Sequence, residues 1–298
     1  MKIMMGNAEL EMGSKYLTEL RSANDLLHDV DALRQRLEED GYLLIRGFHD
    51  RADVMSARSG ILQKLHDMNK LDAGFPIEEG VIAQGAKGAM FGGAVNEEDE
   101  NMMPFYHLVN SEKVMSFFDR LLGGEAMTYD YKWPRAVGNG DFTGAHYDIV
   151  YMGRGTKQVY TMWTPLGDVP YEQGPLSICL GSQNFEKMKA TYGQMDVDRD
   201  NIELGWISKD PIECVDKFGG QWATTPFEAG DMIIFGMFLL HGSVNNTTSR
   251  FRISSDTRYQ LRSEPVDERW VGVKPKGHYA WGQEKSKSME EARKEWSI

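Results

Sequence analysis

The chain has 298 residues, of which 41% are hydrophobic, and this is enough to bury one large domain or two smaller ones. Its 45 acidic and 33 basic residues give a formal charge of −12, which argues against nucleic acid or an anionic membrane surface as a partner. No stretch approaches the roughly 18 apolar residues that cross a bilayer, and two cysteines are too few for a disulfide framework. We expect a cytoplasmic protein, and the composition does not indicate its oligomeric state.

The N-terminal part of the chain has the spacing of helices. Apolar residues recur every three or four positions over residues 24–40, which predicts an amphipathic helix that ends at Gly41. Residues 42–46 are apolar and β-prone, so they predict a strand. The helical spacing returns over residues 54–68, where a second helix is expected.

A segment of different character follows. Residues 72–103 contain repeated glycines and an acidic cluster without a sustained period, which predicts a long, mobile connection. Residues 111–122 then predict a third helix, with Ser111 as its N-cap and Gly123 as its end. Residues 186–225 are also long, polar and poorly periodic, so both irregular segments are candidate lids over an active site.

The second half of the chain consists of short β-rich runs separated by turn residues, and these runs lie at residues 159–163, 176–180, 232–235 and 253–259. Several short strands in series, with no alternating helices, predict a sandwich or barrel. The expected fold class is mainly β with flanking helices. We expect a single domain with a helical N-terminal flank and lid loop (1–125), a β core (126–262) and a C-terminal extension (263–298) whose residues 283–298 form a last surface helix.

Three residues of the β core have the chemistry of a metal site. His146 and Asp148 are two positions apart, so an extended strand would place both side chains on one face. His241 ends the apolar run 230–241, which we expect to be one strand, and it is the candidate third ligand. Two histidines and one carboxylate form the facial triad typical of iron(II) that activates O₂. A His-X-Asp triplet alone is more often structural, and a structural role is expected for the remaining histidines, His28, His49, His66, His107 and His278.

These residues, with others around them, resemble the phytanoyl-CoA dioxygenase family of iron(II)/2-oxoglutarate oxygenases. The resemblance begins at residues 37–48 and continues downstream of the first ligand pair. It is most specific after His241, where several residues follow the family's order and spacing, namely Gly242, Ser243, Asn246, Thr248 and Arg252. The resemblance implies a double-stranded β-helix (jelly roll, cupin-like) core. It also implies Fe²⁺, O₂ and the co-substrate 2-oxoglutarate.

The same resemblance implies roles for individual residues around 2-oxoglutarate. An arginine holds the far carboxylate of the co-substrate in the family, and Arg252 occupies the matching position. Arg250 and Arg258 share strand parity with Arg252, so alternation alone does not choose among the three. The resemblance further implies that the co-substrate contacts four other residues, Ser243, Thr248, Lys132 and Trp163.

The expected reaction is hydroxylation or another oxidation of a small-molecule metabolite, with release of succinate and CO₂. In halogenating relatives a small residue replaces the metal-binding carboxylate, and the presence of Asp148 therefore favours hydroxylation or a related oxidation over halogenation. Tyr131 and Tyr151 are candidate residues of the substrate pocket, although aromatic side chains near a β core are also common in packing. Two alternatives are a non-catalytic jelly-roll binding protein and a cupin-type metalloenzyme that does not use 2-oxoglutarate.

Overall fold

A computed structural model of the chain describes residues 1–202, 205–280, 284 and 287–298. The strands are, in chain order, β1 (Lys2–Met5), β2 (Ala8–Glu11), β3 (Leu17–Glu19), β4 (Tyr42–Ile45), β5 (Ala89–Met90), β6 (Ala126–Thr128), β7 (Trp133–Val137), β8 (Tyr160–Pro165), β9 (Leu176–Leu180), β10 (Gln221–Thr224), β11 (Met232–Gly236), β12 (His241–Ser243) and β13 (Arg252–Leu261). The α-helices are α1 (Val30–Asp40), α2 (Arg51–Asp67), α3 (Met103–Val109), α4 (Glu112–Leu122), α5 (Ile149–Met152), α6 (Glu186–Ala190), α7 (Pro211–Phe218) and α8 (Met289–Trp296). Within these ranges, none of the helices has the length and apolar character that a membrane span requires.

Side-chain caps set the ends of the N-terminal helices. α1 ends where predicted, before Gly41 in the left-handed conformation (φ 81°), but it begins only after Asp29, whose carboxylate accepts two bonds from the first turn. The predicted start at residue 24 was therefore wrong, and a short 3₁₀ turn precedes the cap. α4 follows Ser111 and ends before Gly123, both as predicted.

The predicted connection over residues 72–103 is attached to the β core at several points. β5 pairs with β7, and an isolated bridge joins Gly93 to Lys132. The mobility of this segment stays a prediction. The short helix α3 directly after it was not predicted, because seven residues are too few to display a helical period.

Two β-sheets form the core of the fold. The large sheet has the strand order β4-β11-β8-β13-β7-β5, with β6 also paired to β13, and the small sheet has the order β12-β9-β10-β3. All of these pairs are antiparallel except β10 with β3. The mainly β, jelly-roll fold predicted from the sequence is confirmed. The predicted helical flank also contributes strands to the two sheets, namely β4, which the sequence predicted at residues 42–46, and β3 and β5, which it did not predict.

The large sheet is buried on both faces, which explains its continuous apolar runs. In β11, Ile233 and Phe235 pack between the two sheets, whereas Met232 and Ile234 pack against the helices α1 to α4. The predicted strand 230–241 is not continuous, because β11 ends at Gly236 and the chain crosses to the small sheet before His241. In the C-terminal extension the structure has helix α8, while Gln283, where the predicted helix begins, lies outside the described residues.

Candidate metal centre and adjoining cavity

Two backbone hydrogen bonds hold His146 and His241 directly opposite each other. The amide of His146 donates to the carbonyl of His241 at 2.9 Å, and the reverse bond measures 3.1 Å. The two imidazole rings are consequently adjacent, with centroids 4.1 Å apart. His241 is the first residue of β12, so its backbone is also fixed by pairing with β9.

Asp148 completes a cluster of three possible metal ligands. Its Oδ1 lies 3.7 Å from Nε2 of His146 and 3.6 Å from Nε2 of His241. One ligand atom from each of the three side chains lies within 4.8 Å of the others, and all three residues are buried. The predicted reason for the convergence was wrong, because Asp148 has helical backbone angles (φ −66°, ψ −26°) at the start of α5 rather than those of a strand.

Backbone carbonyl groups fix which imidazole nitrogen faces the cluster. Nδ1 of His146 bonds the carbonyl of Gly144 at 2.8 Å, and Nδ1 of His241 bonds the carbonyl of Leu239 at 2.9 Å. Because a carbonyl oxygen only accepts, Nδ1 carries the proton and the Nε2 lone pairs remain available to a metal. Burial lowers the pKa of both rings, that of His146 to about 3, so both are neutral near pH 7.

The second oxygen of Asp148 is held by two donors on the large sheet. The hydroxyl of Thr161 donates to Oδ2 at 2.5 Å, and Nη2 of Arg258 donates to it at 3.0 Å. Burial alone would raise the pKa of Asp148, but the Arg258 guanidinium and the two imidazoles hold it well below its ordinary range. An ionised carboxylate with one free oxygen, beside two free Nε2 atoms, is a donor set that suits iron(II).

The three arginines that alternation could not separate lie in different places. Arg250 is exposed and pairs with Glu79 at 2.6 Å. Arg252 and Arg258 are buried on the inner face of β13. Burial lowers the pKa of Arg252 to about 10, and its Nε has no hydrogen-bond partner among the described residues. A buried guanidinium with a free donor suits an anionic ligand.

The other residues that the resemblance implied around 2-oxoglutarate are placed differently from one another. Trp163 is buried beside Arg252, whose guanidinium carbon lies 5.8 Å from the indole ring. Ser243 is also buried, and its hydroxyl accepts from the amide of Thr143 at 2.9 Å. Trp163 therefore lies next to Arg252, whereas the Ser243 hydroxyl is bonded to the segment that contains Thr143.

Thr248 and Lys132 make other contacts. The hydroxyl of Thr248 donates to Oδ1 of Asn246 at 2.8 Å, within the turn that leads to β13. The ammonium group of Lys132 donates to the hydroxyl of Thr128 at 2.6 Å and to the carbonyl of Tyr129. Burial lowers the pKa of Lys132 to about 7. The structure therefore does not bring either side chain together with Arg252.

A cavity of about 460 Å³ opens beside the cluster. His146 and Asp148 form part of its wall, together with both predicted pocket residues, Tyr131 and Tyr151. Sequence reasoning missed several wall residues, namely Met90, Trp133, Arg135, Thr143, Met152, Trp206, Arg258, Lys276, Gly277 and His278. The alternation of side chains along β13 could have indicated Arg258. Met90 and Trp206 belong to the two candidate lid segments, residues 72–103 and 186–225.

His278 lies in the cavity wall, so the expectation of a purely structural histidine was incomplete. Its Nδ1 bonds Oδ2 of Asp198 at 2.9 Å, and the same carboxylate pairs with Arg269 at 2.5 Å. The C-terminal extension is thereby anchored to the segment before α7. This network holds one wall of the cavity in place.

A jelly roll that brings two histidines and one carboxylate together beside a cavity is the arrangement typical of non-haem iron oxygenases. Residues 37–254 match the phytanoyl-CoA dioxygenase (PhyH) family, and the chain belongs to this family. It is accordingly an iron(II)- and 2-oxoglutarate-dependent oxygenase that acts on a small molecule with O₂ as the oxidant.

Two named relatives are bacterial hydroxylases. The chain is 25% identical over 260 residues to 1-deoxypentalenic acid 11-beta-hydroxylase of Streptomyces exfoliatus, and the match covers 83% of this chain and 87% of the relative. The protein of the same name from Streptomyces arenae is 24% identical over 251 residues, which cover 80% of this chain and 83% of the relative.

Solved structures share the fold. The epimerase SnoN in complex with Fe³⁺, alpha ketoglutarate and nogalamycin RO is 17% identical, with a TM-score of 0.55 over 82% of this chain and 87% of the other. EctD from S. alaskensis with 2-oxoglutarate and 5-hydroxyectoine is also 17% identical, with a TM-score of 0.53 over 82% of this chain and 80% of the other. The common feature is the jelly roll.

Proposed function

We propose that His146, Asp148 and His241 bind the iron(II), that Arg252 binds the far carboxylate of 2-oxoglutarate, and that the enzyme hydroxylates a small, largely apolar metabolite. The observation that carries this proposal is the convergence of the three side chains, each of which places one possible ligand atom within 4.8 Å of the others. The supporting bonds to Nδ1 and to Oδ2 orient all three ligand atoms before any metal arrives.

Arg252 suits the far carboxylate because its charge is buried and incompletely satisfied. Its Nη1 donates to the hydroxyl of Ser254, while Nε lacks a partner in the described part of the chain. An uncompensated charge inside a barrel is costly, and a carboxylate that accepts charge-assisted bonds would offset that cost. Trp163 borders the guanidinium and would form one wall of the same carboxylate-binding site.

The chemistry that bound iron and co-substrate supply is the oxidation of a C–H bond, with release of succinate and CO₂. The protein's own contribution is orientation and exclusion of water. Thr161 and Arg258 hold Oδ2 of Asp148, so that Oδ1 stays turned toward the two imidazoles. Tyr131 and Tyr151 lie in the cavity wall, where they would position the substrate against the centre.

The walls of the cavity support an apolar substrate. Met90, Trp133, Met152 and Trp206 supply large hydrophobic surfaces. The relatives from Streptomyces are named for a hydroxylation of 1-deoxypentalenic acid, which supports the same class of reaction on this chain. We place the enzyme in the cytoplasm, where the two buried cysteines, both free, would stay reduced. The negative charge supports the absence of a nucleic acid or membrane partner.

The test is an anaerobic titration of the purified protein with iron(II), followed by measurement of succinate formed from 2-oxoglutarate in air. His241→Ala removes one ligand and is expected to abolish both iron binding and succinate formation. His107→Ala, at an exposed position on α3, is the matched control and should behave as the wild type. A wild-type protein that bound no iron(II) would refute the proposal.

A further inference from the structure

A second arginine of the inner face of β13 has unused hydrogen-bond donors next to the candidate metal centre. Only 2% of Arg258 is exposed, and Nη2 donates to Oδ2 of Asp148 at 3.0 Å. Its Nε and Nη1 have no hydrogen-bond partner within the described residues. The guanidinium carbon lies 4.7 Å from the ring of Trp133, and Arg258 and Trp133 both line the cavity.

The charges around Arg258 do not compensate it fully. Arg135 also lines the cavity, but it is paired with Asp256 at 2.6 Å. The carboxylate of Asp148 lies close both to Arg258 and to the Nε2 atoms of the two histidines. A bound metal would therefore share the negative charge of this carboxylate with Arg258. Lys276 adds an exposed cation to the wall and forms no ion pair with a described residue. The cavity is therefore locally positive although the chain carries a formal charge of −12.

A carboxylate is the ligand chemistry that fits this position. Guanidinium N–H groups donate to carboxylate oxygens through short, charge-assisted bonds, and a neutral acceptor would leave the charge of Arg258 uncompensated. Two molecules could bring such a group: 2-oxoglutarate, through its metal-proximal carboxylate, and a substrate that is itself an acid. Arg252 is not part of the cavity wall, so the two arginines would serve different carboxylate groups.

We infer that Arg258 forms a carboxylate subsite in the cavity, separate from Arg252, and is at the same time the positioning residue of Asp148. The inference rests on the proposed function of the triad. The same guanidinium orients the metal-binding carboxylate with one nitrogen and receives a carboxylate ligand with the others. Arg258 thus couples occupancy of the cavity to the geometry of the metal centre.

The experiment measures binding to the full-length protein without O₂. Iron(II) affinity is measured first, and the dissociation constants of four probes are then measured at saturating iron(II) by calorimetry. The probes are 2-oxoglutarate, pyruvate, adamantane-1-carboxylate and adamantane-1-methanol. Pyruvate has the 2-oxo acid end of the co-substrate without its far carboxylate. The two adamantanes are an acid and an alcohol on the same apolar frame.

Arg258→Gln is expected to lower iron(II) affinity by about 10- to 100-fold, because a partner that orients a ligand is lost. At saturating iron(II), Arg258→Gln should raise the dissociation constants of carboxylate probes by about tenfold or more and leave that of the alcohol unchanged. Weaker pyruvate and 2-oxoglutarate binding would assign the subsite to the co-substrate, and weaker binding of the adamantane acid would assign it to the substrate. Arg252→Gln should weaken 2-oxoglutarate but not pyruvate.

Three further variants separate recognition from structure. Thr161→Val removes the other bond to Oδ2 of Asp148. It should weaken the binding of iron(II) but leave the binding of the carboxylate probes at saturating iron(II) unchanged. Arg258→Lys keeps the charge and should recover part of the carboxylate affinity. Arg250→Gln, on an exposed arginine, should match the wild type throughout.

Carboxylate affinities in Arg258→Gln equal to those in Arg250→Gln would overturn the inference and leave the proposed function intact. Loss of iron or 2-oxoglutarate binding in the wild type would refute the proposed function first, and the inference with it.

Discussion

At the scale of single residues, two carbonyl groups determine the chemistry of the centre. The carbonyls of Gly144 and Leu239 accept from Nδ1 of His146 and His241, so each ring presents a bare Nε2. Asp148 is oriented in the same way, because donors occupy Oδ2 and leave Oδ1 free. The candidate ligand atoms are thereby aligned without metal. The entropic cost of ordering these side chains is therefore incurred when the chain folds and not when the metal binds.

Acid should destabilise the metal-free protein through His146. Burial lowers the pKa of this ring to about 3 from an ordinary value of 6.5, so the unfolded chain binds the proton more tightly. The stability that His146 contributes is complete above its unfolded pKa and is lost as the pH falls toward 3. Between pH 7 and 5.5 the free energy of unfolding of the wild type should fall by about 1 kcal/mol more than that of His146→Gln.

Urea denaturation of the metal-free proteins at the two pH values measures this difference. The exposed His107→Gln variant serves as the control and should lose as much stability as the wild type. Equal losses in His146→Gln and the wild type would contradict the prediction.

At the scale of elements, the centre joins the two sheets. His241 begins β12 of the small sheet, whereas Thr161 and Arg258 extend from β8 and β13 of the large sheet. Asp148 at the start of α5 accepts bonds from the large sheet and faces the histidine of the small one. The distance between the sheets therefore controls the geometry of the donor set.

Gly242 is a position where this spacing can be tested. A Cβ atom at Gly242 would lie 2.7 Å from the carbonyl oxygen of Thr143, so β12 would have to move away from the segment that carries His146. Gly242→Ala should lower stability by about 1–3 kcal/mol and weaken iron(II) binding. At Gly236 the nearest atom would be 3.9 Å away, and Gly236→Ala is the control. Iron affinity and thermal unfolding of both variants are the measurements, and equal behaviour would contradict the prediction.

Local signals predicted the elements that depend on local causes. Gly41, Ser111 and Gly123 indicated helix ends because capping involves only neighbouring residues. The strands β1 to β3 were not predicted, since each has only three or four residues, and β3 also depends on the distant partner β10. The clustering of His146, Asp148 and His241 could be predicted from residue type and family spacing. The crossing of the chain between Gly236 and His241 could not, because one apolar run suits either one long strand or two strands in different sheets.

At the scale of the whole molecule, the interior of the barrel contains charged side chains that bound ligands would pair with. Arg252, Arg258 and Asp148 are buried inside the barrel, where Arg135 and Asp256 form a half-buried ion pair, while the chain as a whole carries a formal charge of −12. Ligands that bind only the folded protein raise its stability by mass action. Iron(II) and 2-oxoglutarate should therefore act as stabilisers of the fold as well as reactants.

Thermal unfolding after chelator treatment tests this effect. Iron(II) at about 100 times its dissociation constant should stabilise the wild type by about 2.7 kcal/mol, and 2-oxoglutarate should add a further increase in Tm. In Arg252→Gln the metal should still raise Tm, whereas 2-oxoglutarate should add little. In His241→Ala neither ligand should act. A Tm of the wild type that did not respond to iron(II) would contradict the prediction.

The cavity wall has an origin different from that of the centre beside it. His146 and His241 are fixed by backbone bonds across the β core, whereas Trp206 and Lys276 of the cavity wall come from connections outside the regular sheets. The part of the cavity wall that these connections supply can therefore change without altering the residues of the centre. Such a division lets a lineage, or a protein engineer, exchange the substrate by altering side chains at the cavity wall while the oxidising centre is inherited unchanged.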